Sequence, residues 1–595
     1  MTLLVCRLIS LAARRIRFFQ PLLLAALAAA SAAQKAADKP AADNLYQRGV
    51  GSVQRGDLAA ARTAFEKLVQ LAPKSPQGHN SLGWVLMSSG KIDEAIAQFR
   101  TALQLKPGFL PAHMNLANAL SAKGDNDAAA NEARSAVKLA PRDSEAHRTL
   151  GRALSFQPNL STALAELKQA TQLDPARADL HDDFGALLAR NSQLEEAAAE
   201  FSQALRLQPD SAAIKFHLGV VRWRQHSLDR ALPLLQSAAE LAPGNSQAHY
   251  YLARVLSDKG DNDGTIRELQ TAVKLQPSFP DAQTQLGLAL QRKGDGEGAV
   301  VAFRHVVESQ PDNADAHNNL GLALIQSGDA PGAVPEFEAA LRLKPEDSDY
   351  RGNLGIAYLQ RSDFEAAIRE LRAALQDAPD DVTLHYNLGL ALKLKDDLPG
   401  AVVELQKAAQ LDTEQADVHY TLGVIFWQQG EFVRAADELR AAIKARPNYA
   451  EAHYTLGTVL KQEGKLQEAA DALGEAIRLQ PDFAGAHTTL AGVLRQLGNT
   501  EGAAAESKLG AEITKSTNAL QAATFSTNSG RRLLNAGDLD GAISQFRTAT
   551  GQLTSYAPAH FYLAQALRRK GLSDEAEREF RKASELDPNF KSAAQ

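Results

Sequence analysis

The sequence predicts an all-α fold, a solenoid of antiparallel helix pairs, on three observations. A thirty-four-residue pattern recurs from Ala42 almost to the end of the 595-residue chain, small residues hold two fixed places within it, and a proline closes nearly every copy. A fixed period of this length marks stacked units that share a continuous core, so one elongated body is expected in place of several globular domains. Composition agrees. Hydrophobic residues make up 45% of the chain, much of it alanine, against 6% aromatics; alanine favours helix and lets backbones approach. With 64 basic and 70 acidic residues the net charge is −6, which offers no overall field for nucleic acid or a membrane surface.

The first element differs from everything after it. Arg7, Arg14, Arg15 and Arg17 precede an apolar run from Phe18 to Ala30, broken by Gln20 and Pro21 and followed by Ser31, Ala32 and Ala33. That order reads as a signal peptide over residues 1–33, directing export to a bacterial-type periplasm or beyond. A retained membrane anchor is the alternative, although the run is shorter than the ~20 residues a span needs. Cys6 is the sole cysteine and precedes the apolar run. A cleaved chain then holds no thiol, and haem attachment or a cysteine-ligated zinc is excluded. Residues 34–41, rich in Ala, Lys and Asp, read as a linker.

Fourteen units follow without a gap over residues 42–517. Position 8 of the unit is Gly in most copies, among them Gly49, Gly83 and Gly457; position 20 is Ala in all but one, where Thr265 stands; position 32 is Pro in all but the eleventh and fourteenth. A mid-helix glycine costs roughly 0.5–1 kcal/mol relative to alanine, so its recurrence needs a compensating contact. The small residue at position 20 is expected to supply it by letting the two helices of a pair meet closely. Position 15, often Gly as in Gly56, Gly90, Gly328 and Gly430, ends the first helix. Asp57, Asp261 and Asp329 follow as caps of the second, Pro331 and Pro399 suit a helix start, and the position-32 proline stops the pair.

After residue 517 the phase slips across residues 518–522 before two more units over 523–590 and a tail, 591–595. The fourteenth unit lacks the stop proline and carries Ser507 and Gly510. A long or bent helix is therefore expected over about Thr500 to Leu534, either as a joint in the array or as a harmless insertion. The last unit turns polar where its predecessors are apolar or small, with Glu577 at position 21 and Ser584 at position 28, as suits a terminal repeat.

No catalytic signature accompanies the repeats. Walker A, HExxH, G-x-S-x-G and a GxGxxG with an acidic partner are all missing from the sequence, so no enzyme activity and no cofactor are expected. Asp261-Asn262-Asp263-Gly264 has the start of a calcium loop without its later ligands. Eleven of fourteen histidines stand at position 4, from His79 to His560. Equivalent helices are too far apart for three of them to reach one metal ion, so a structural role beside the preceding unit is expected.

The spacing Leu456, Gly457, Gly464, Ala469, Leu473, Ala476, Pro481 resembles the tetratricopeptide repeat, and the likeness covers over nine-tenths of the chain. It implies a right-handed superhelix whose first helices line a concave groove, with ligands meeting positions 2, 5, 9, 12 and 13. On those positions stand Tyr386, Tyr420 and Tyr454 (position 5), Val424 (9), and Lys393, Trp427 and Lys461 (12). Aromatic planes beside cations suit an extended peptide carrying carboxylates; the alternative is that these tyrosines only pad the helix surface. Phe216, Tyr250, Trp223 and Arg224 form a second, weaker patch. Asn319, Asn353 and Asn387 at position 6 resemble a short part of the asparagine ladder in the repeat arm of O-linked N-acetylglucosamine transferases. The expected partners are other proteins, with no nucleic acid and no stable membrane span in the mature chain. The expected role is a non-catalytic exported scaffold, or else the recruiting arm of an envelope enzyme complex.

Overall fold

A computed structural model describes residues 39–590. The signal segment over 1–33, most of the 34–41 linker and the tail 591–595 lie outside the described residues. Thirty-one α-helices in tandem pairs account for the described chain, with no strand among the described residues. The chain divides between Gln310 and Pro311 into two compact units. The first holds repeats 1–8, from Lys39–Gln54 to Gly296–Ser309; the second holds repeats 9–16, from Ala314–Gln326 to Ser573–Leu586. The opening helix begins at Lys39, three residues before the repeat phase does.

The turn inside each repeat follows from two adjacent residues. Position 15 adopts the left-handed conformation, open to glycine without a Cβ clash, at φ 77° in Gly56 and 78° in Gly90. The next residue caps the second helix. Asp57 accepts a hydrogen bond from the Ala60 amide at 2.9 Å, and Asp261 from that of Gly264 at 2.8 Å. The calcium-like tetrapeptide is thus an ordinary capping turn. Ser192, His226, Ser362 and Asp396 hold the same left-handed conformation without being glycine, at φ of 63°, 57°, 62° and 69°.

The expected partner of the position-8 glycine is corrected. A Cβ on Gly83 would come within 2.7 Å of the Phe99 ring, and one on Gly457 within 2.6 Å of Leu473. Both neighbours stand at position 24. Position 20 supplies mainly backbone to the crossing: the Ala469 carbonyl lies 3.1 Å from the same Gly457 point. The missing Cβ therefore makes room for a large side chain from the second helix, and Phe65, Phe99, Phe201, Phe303, Phe337 and Phe546 are fully buried there. Repeat 3 evens the sizes, with Ala117 opposite Ala133. Between repeats, position 3 packs on the position-27 alanine of the preceding second helix, as Ala112 on Ala102, Ile214 on Ala204 and Tyr350 on Ala340.

The position-4 histidines tie each repeat to the one before. The Nε2 of His113 donates to the carbonyl of Pro107 at 2.8 Å, while its Nδ1 meets the Glu132 carboxylate at 2.7 Å. Pro107 is the stop proline of the preceding repeat, and Glu132 lies on the second helix of the same repeat. The arrangement recurs at His147, His181, His249, His317, His385 and His487, and at His419 and His560 with the carbonyl of a threonine, Thr413 or Thr554, in place of the proline's. In repeat 10 Arg351 takes the place of histidine and reaches both Pro345 and Glu370.

The second helix of repeat 14 does not end. A single helix runs from Thr500 to Asn535, thirty-six residues, and serves also as the first helix of repeat 15. Lys515 occupies the stop-proline position, and residues 516–522 contain neither Gly nor Pro, so nothing in the chain breaks the rod.

Candidate peptide-binding surface

Tyr386, Tyr420 and Tyr454 lie on the first helices Val382–Leu394, Ala416–Gln428 and Ala450–Gln462 of repeats 11, 12 and 13. Positions 5, 9 and 12 follow an i, i+4, i+7 spacing, so each helix presents them on one face. Val424 and Trp427 accordingly stand in line with Tyr420, and Lys393 and Lys461 in line with Tyr386 and Tyr454. All of these side chains are half-buried.

Two of the tyrosines are braced from beneath. The Tyr420 ring centre lies 5.1 Å from that of Tyr449, and the Tyr454 ring 4.7 Å from Phe483. Each brace closes its own repeat at position 34. Tilted ring pairs of this kind contribute about 0.5–1.5 kcal/mol beyond burial and fix the ring's direction. Repeats 7 and 16 pair the same positions, Tyr250 with Phe279 and Phe561 with Phe590. Tyr386 has Gln415 where the others have a ring; its hydroxyl meets that of Thr421, and burial pushes its pKa upward.

Asp417, at position 2 of repeat 12, anchors the centre of this face. It accepts from the Arg446 guanidinium at 2.6 Å and from the Tyr449 hydroxyl at 3.0 Å, and Arg446 stacks over the Tyr449 ring at 4.6 Å. The Arg446 bond holds the carboxyl of Asp417 below its ordinary range, while burial, and then Asp417, push the Tyr449 phenol up. The Trp427 indole donates to Gln462 at 2.8 Å, which fixes its plane against the next repeat. Burial alone pulls the Lys393 amine down. Gly485 and Gly492 of repeat 14 leave open the space beside the Tyr454 hydroxyl and the Lys461 amine, since a Cβ on either would approach to 3.4 and 3.3 Å.

The other sequence candidates fare differently. Phe216 and Tyr250 are buried at 3% and 5% exposure, so they belong to the core and not to a second binding patch. Trp223 stacks edgewise on Tyr251 under Arg254, and Arg224 caps the Ala189 carbonyl. Among the asparagines, Asn353 donates to Asn318 of the preceding repeat and Asn387 to the Thr383 carbonyl of its own helix; Asn319 is half-buried. Sequence reasoning missed the ring braces, though both positions are aromatic within the same repeat. It also missed an ionic cluster on repeats 4 and 5, where Arg148 bridges Asp179 at 2.6 Å and Asp183 at 2.5 Å while Arg177 holds Glu145 and Asp179.

Paired helices with glycine at position 8, alanine at 20 and proline at 32 define a class of helical-repeat scaffolds, and the chain belongs to the tetratricopeptide repeat family. That family matches residues 46–108, 183–246, 284–348, 420–473, 454–509 and 527–589, with further matches over 86–153, 222–287, 324–392 and 393–430. No curated protein matches the chain. Among solved structures, it is similar to YrrB, described as a TPR protein with an unusual peptide-binding site, at 25% identity over 30% of this chain and 92% of that one, TM-score 0.28. It is also similar to the APC/C hetero-tetramer Cut9–Hcn1 at 15% identity over 88% and 96%, TM-score 0.36. A tetratricopeptide repeat protein from Parabacteroides merdae ATCC 43184 matches at 14% identity over 42% and 99%, TM-score 0.35. As a family member the chain is a protein-interaction scaffold. No helix among the described residues is long and apolar enough to cross a membrane.

Proposed function

We propose that this protein is a non-catalytic, exported scaffold that holds extended segments of partner proteins along the first helices of repeats 11–13. The observation that carries this reading is the row of Tyr386, Tyr420 and Tyr454, half-exposed on three successive helices, with two of the rings held by a second ring. A surface of pre-set aromatics loses little side-chain entropy on binding, which is the usual advantage of rigid anchors. Trp427 and the amines of Lys393 and Lys461 flank the row, so a partner segment with apolar side chains and carboxylates fits its chemistry. Export rests on the basic, apolar, small-residue order of residues 1–33.

The test is a quadruple variant, Tyr386→Leu, Tyr420→Leu, Tyr454→Leu and Trp427→Leu. Leucine retains apolar volume against Tyr449 and Phe483, so helix content by circular dichroism should be unchanged. Partners recovered by crosslinking the wild-type chain in its native cell should be lost, with affinity for an identified segment falling ~30-fold or more, as when several hot-spot rings are removed. An unchanged set of crosslinked partners would show that this face is not the binding surface.

A further inference from the structure

The junction between repeats 14 and 15 leaves two matching faces uncovered. In every other repeat from 2 onward, position 3 is buried: Ala112, Ala146, Ala486 and Ala559 are at 0% exposure. In repeat 15 the residue is Phe525, at 71%. Its receiving residue, Gly510 at position 27, is buried against Thr488 and the Ala484 carbonyl of its own repeat, but the positions around it are bare. Position 21 is buried or half-buried in repeats 1–13 and 15, yet Ala504 of repeat 14 is exposed, as are Ser507 at position 24 and Ala511 at position 28. Elsewhere position 24 carries mainly a buried Phe or Leu and position 3 is often alanine. At this one junction the position-3 ring has no repeat beneath it, and the second helix of repeat 14 offers only small residues there, Ala504, Ser507, Gly510 and Ala511.

The two faces cannot meet within one chain while the helix persists. Ser507 and Phe525 lie eighteen residues apart on one rod, about 27 Å at the ordinary helical rise. They do lie on the same side of it. Ala504, Ala511, Asn518 and Phe525 are seven residues apart in turn, with Ser507 and Thr514 beside them, a seam suited to a second helix. A copy of the same helix laid antiparallel, its two-fold axis near Asn518, sets Phe525 of each chain among Ser507, Ala511 and Thr514 of the other. The midpoint of Thr500–Asn535 falls at the same place. The pairing is also that of consecutive repeats throughout the array, a second helix followed by an antiparallel first helix.

We propose that the protein forms a symmetric dimer through the 500–535 helix, in which repeat 15 of each chain docks on repeat 14 of the other. The interface continues the repeat-to-repeat packing already present in each chain, supplied in trans because the connecting turn has straightened. This is the arrangement of a domain-swapped dimer.

The test uses the full chain. Sedimentation equilibrium should give a dimer, and Phe525→Asp, a change at an exposed position, should weaken dimerisation ~30-fold or more with helix content unchanged. With Cys6→Ser removing the native thiol, Asn518→Cys should give a covalent dimer on mild oxidation, whereas Leu509→Cys, on the opposite side of the rod, should not. A wild-type monomer at tens of micromolar, a Phe525→Asp variant that dimerises normally, or equal crosslinking through position 509 would each overturn the proposal. A monomer would mean that the rod bends and closes in cis, or that another protein covers the seam.

Discussion

The imidazole of His113 faces a carboxylate on one nitrogen and a backbone carbonyl on the other. Both are acceptors only, so the ring satisfies both bonds as the doubly protonated cation. The Glu132 hydrogen bond accordingly raises the pKa of His113, and Glu438 raises that of His419. A folded-state pKa above the unfolded value of about 6.5 contributes stability that is full below pH ~6.5 and is lost as the pH climbs through the folded value. Glu132→Gln should therefore lower the His113 titration midpoint in a histidine NMR titration. Its destabilising effect should be full below pH ~6.5 and should fade as the pH climbs through the folded value and the native ring gives up its proton. The position-8 glycines make a second residue-level claim. Gly457→Ala places a methyl against Leu473 and should destabilise by about 1–3 kcal/mol in denaturant unfolding. Combined with Leu473→Ala the two effects should not add, because the cavity left by one change accepts the methyl of the other.

At the scale of the helix and its turn, the backbone conformation at position 15 is common to most repeats while the side chain is not. Ser192, His226, Ser362 and Asp396 hold a left-handed conformation that costs an L-residue roughly 1–2 kcal/mol and glycine little. Replacing any of them with glycine should stabilise its unit by about 0.5–1 kcal/mol, after the greater flexibility of the unfolded glycine is subtracted, seen as a raised thermal midpoint. A lowered midpoint at all four would show that contacts from these side chains outweigh the strain. These turns were legible because glycine, aspartate and proline act through local backbone chemistry that leaves its mark at a fixed place. The rod from Thr500 to Asn535 was legible for the converse reason, the loss of the stop proline at Lys515. The role of position 20 was not, because a small residue at a helix crossing is required equally by a side chain above it and by a backbone beside it.

For the array as a whole, legibility divides between what repeats and what occurs few times. Sixteen copies of one packing problem give sixteen readings of the same solution, so the paired-helix architecture follows from the spacing, and that spacing carries the resemblance to the family. The binding face has no such redundancy. Tyr250 and Tyr420 occupy the same position and differ in exposure, because Phe279 and Tyr251 both pack on the first ring while the Tyr420 ring pairs with Tyr449. Position 5 by itself therefore does not distinguish surface from core; the neighbours at positions 6 and 34 of the same repeat decide it. Glutamate at position 23 accompanies the position-4 histidine in nine repeats, a pairing visible in the sequence once the helices are known to bring the two places together.

Several side-chain hydrogen bonds between the first helices of successive repeats have a common reach. Asn115 to Asn80, Arg148 to Asp183, Trp223 to Asp258 and Trp427 to Gln462 each span thirty-five residues, one period and one residue more. Contact order measured in residues is then set by the period and not by the length of the chain, so adding a repeat does not lengthen the loops that folding must close. Whole periods can be gained or lost by duplication with every such bond preserved on either side. The loss of a single residue within a helix shifts every partner beyond it around the helix by about 100°, so the fourteen in-phase repeats fit changes in steps of thirty-four, and the five-residue slip over 518–522 falls where a turn has become one continuous helix.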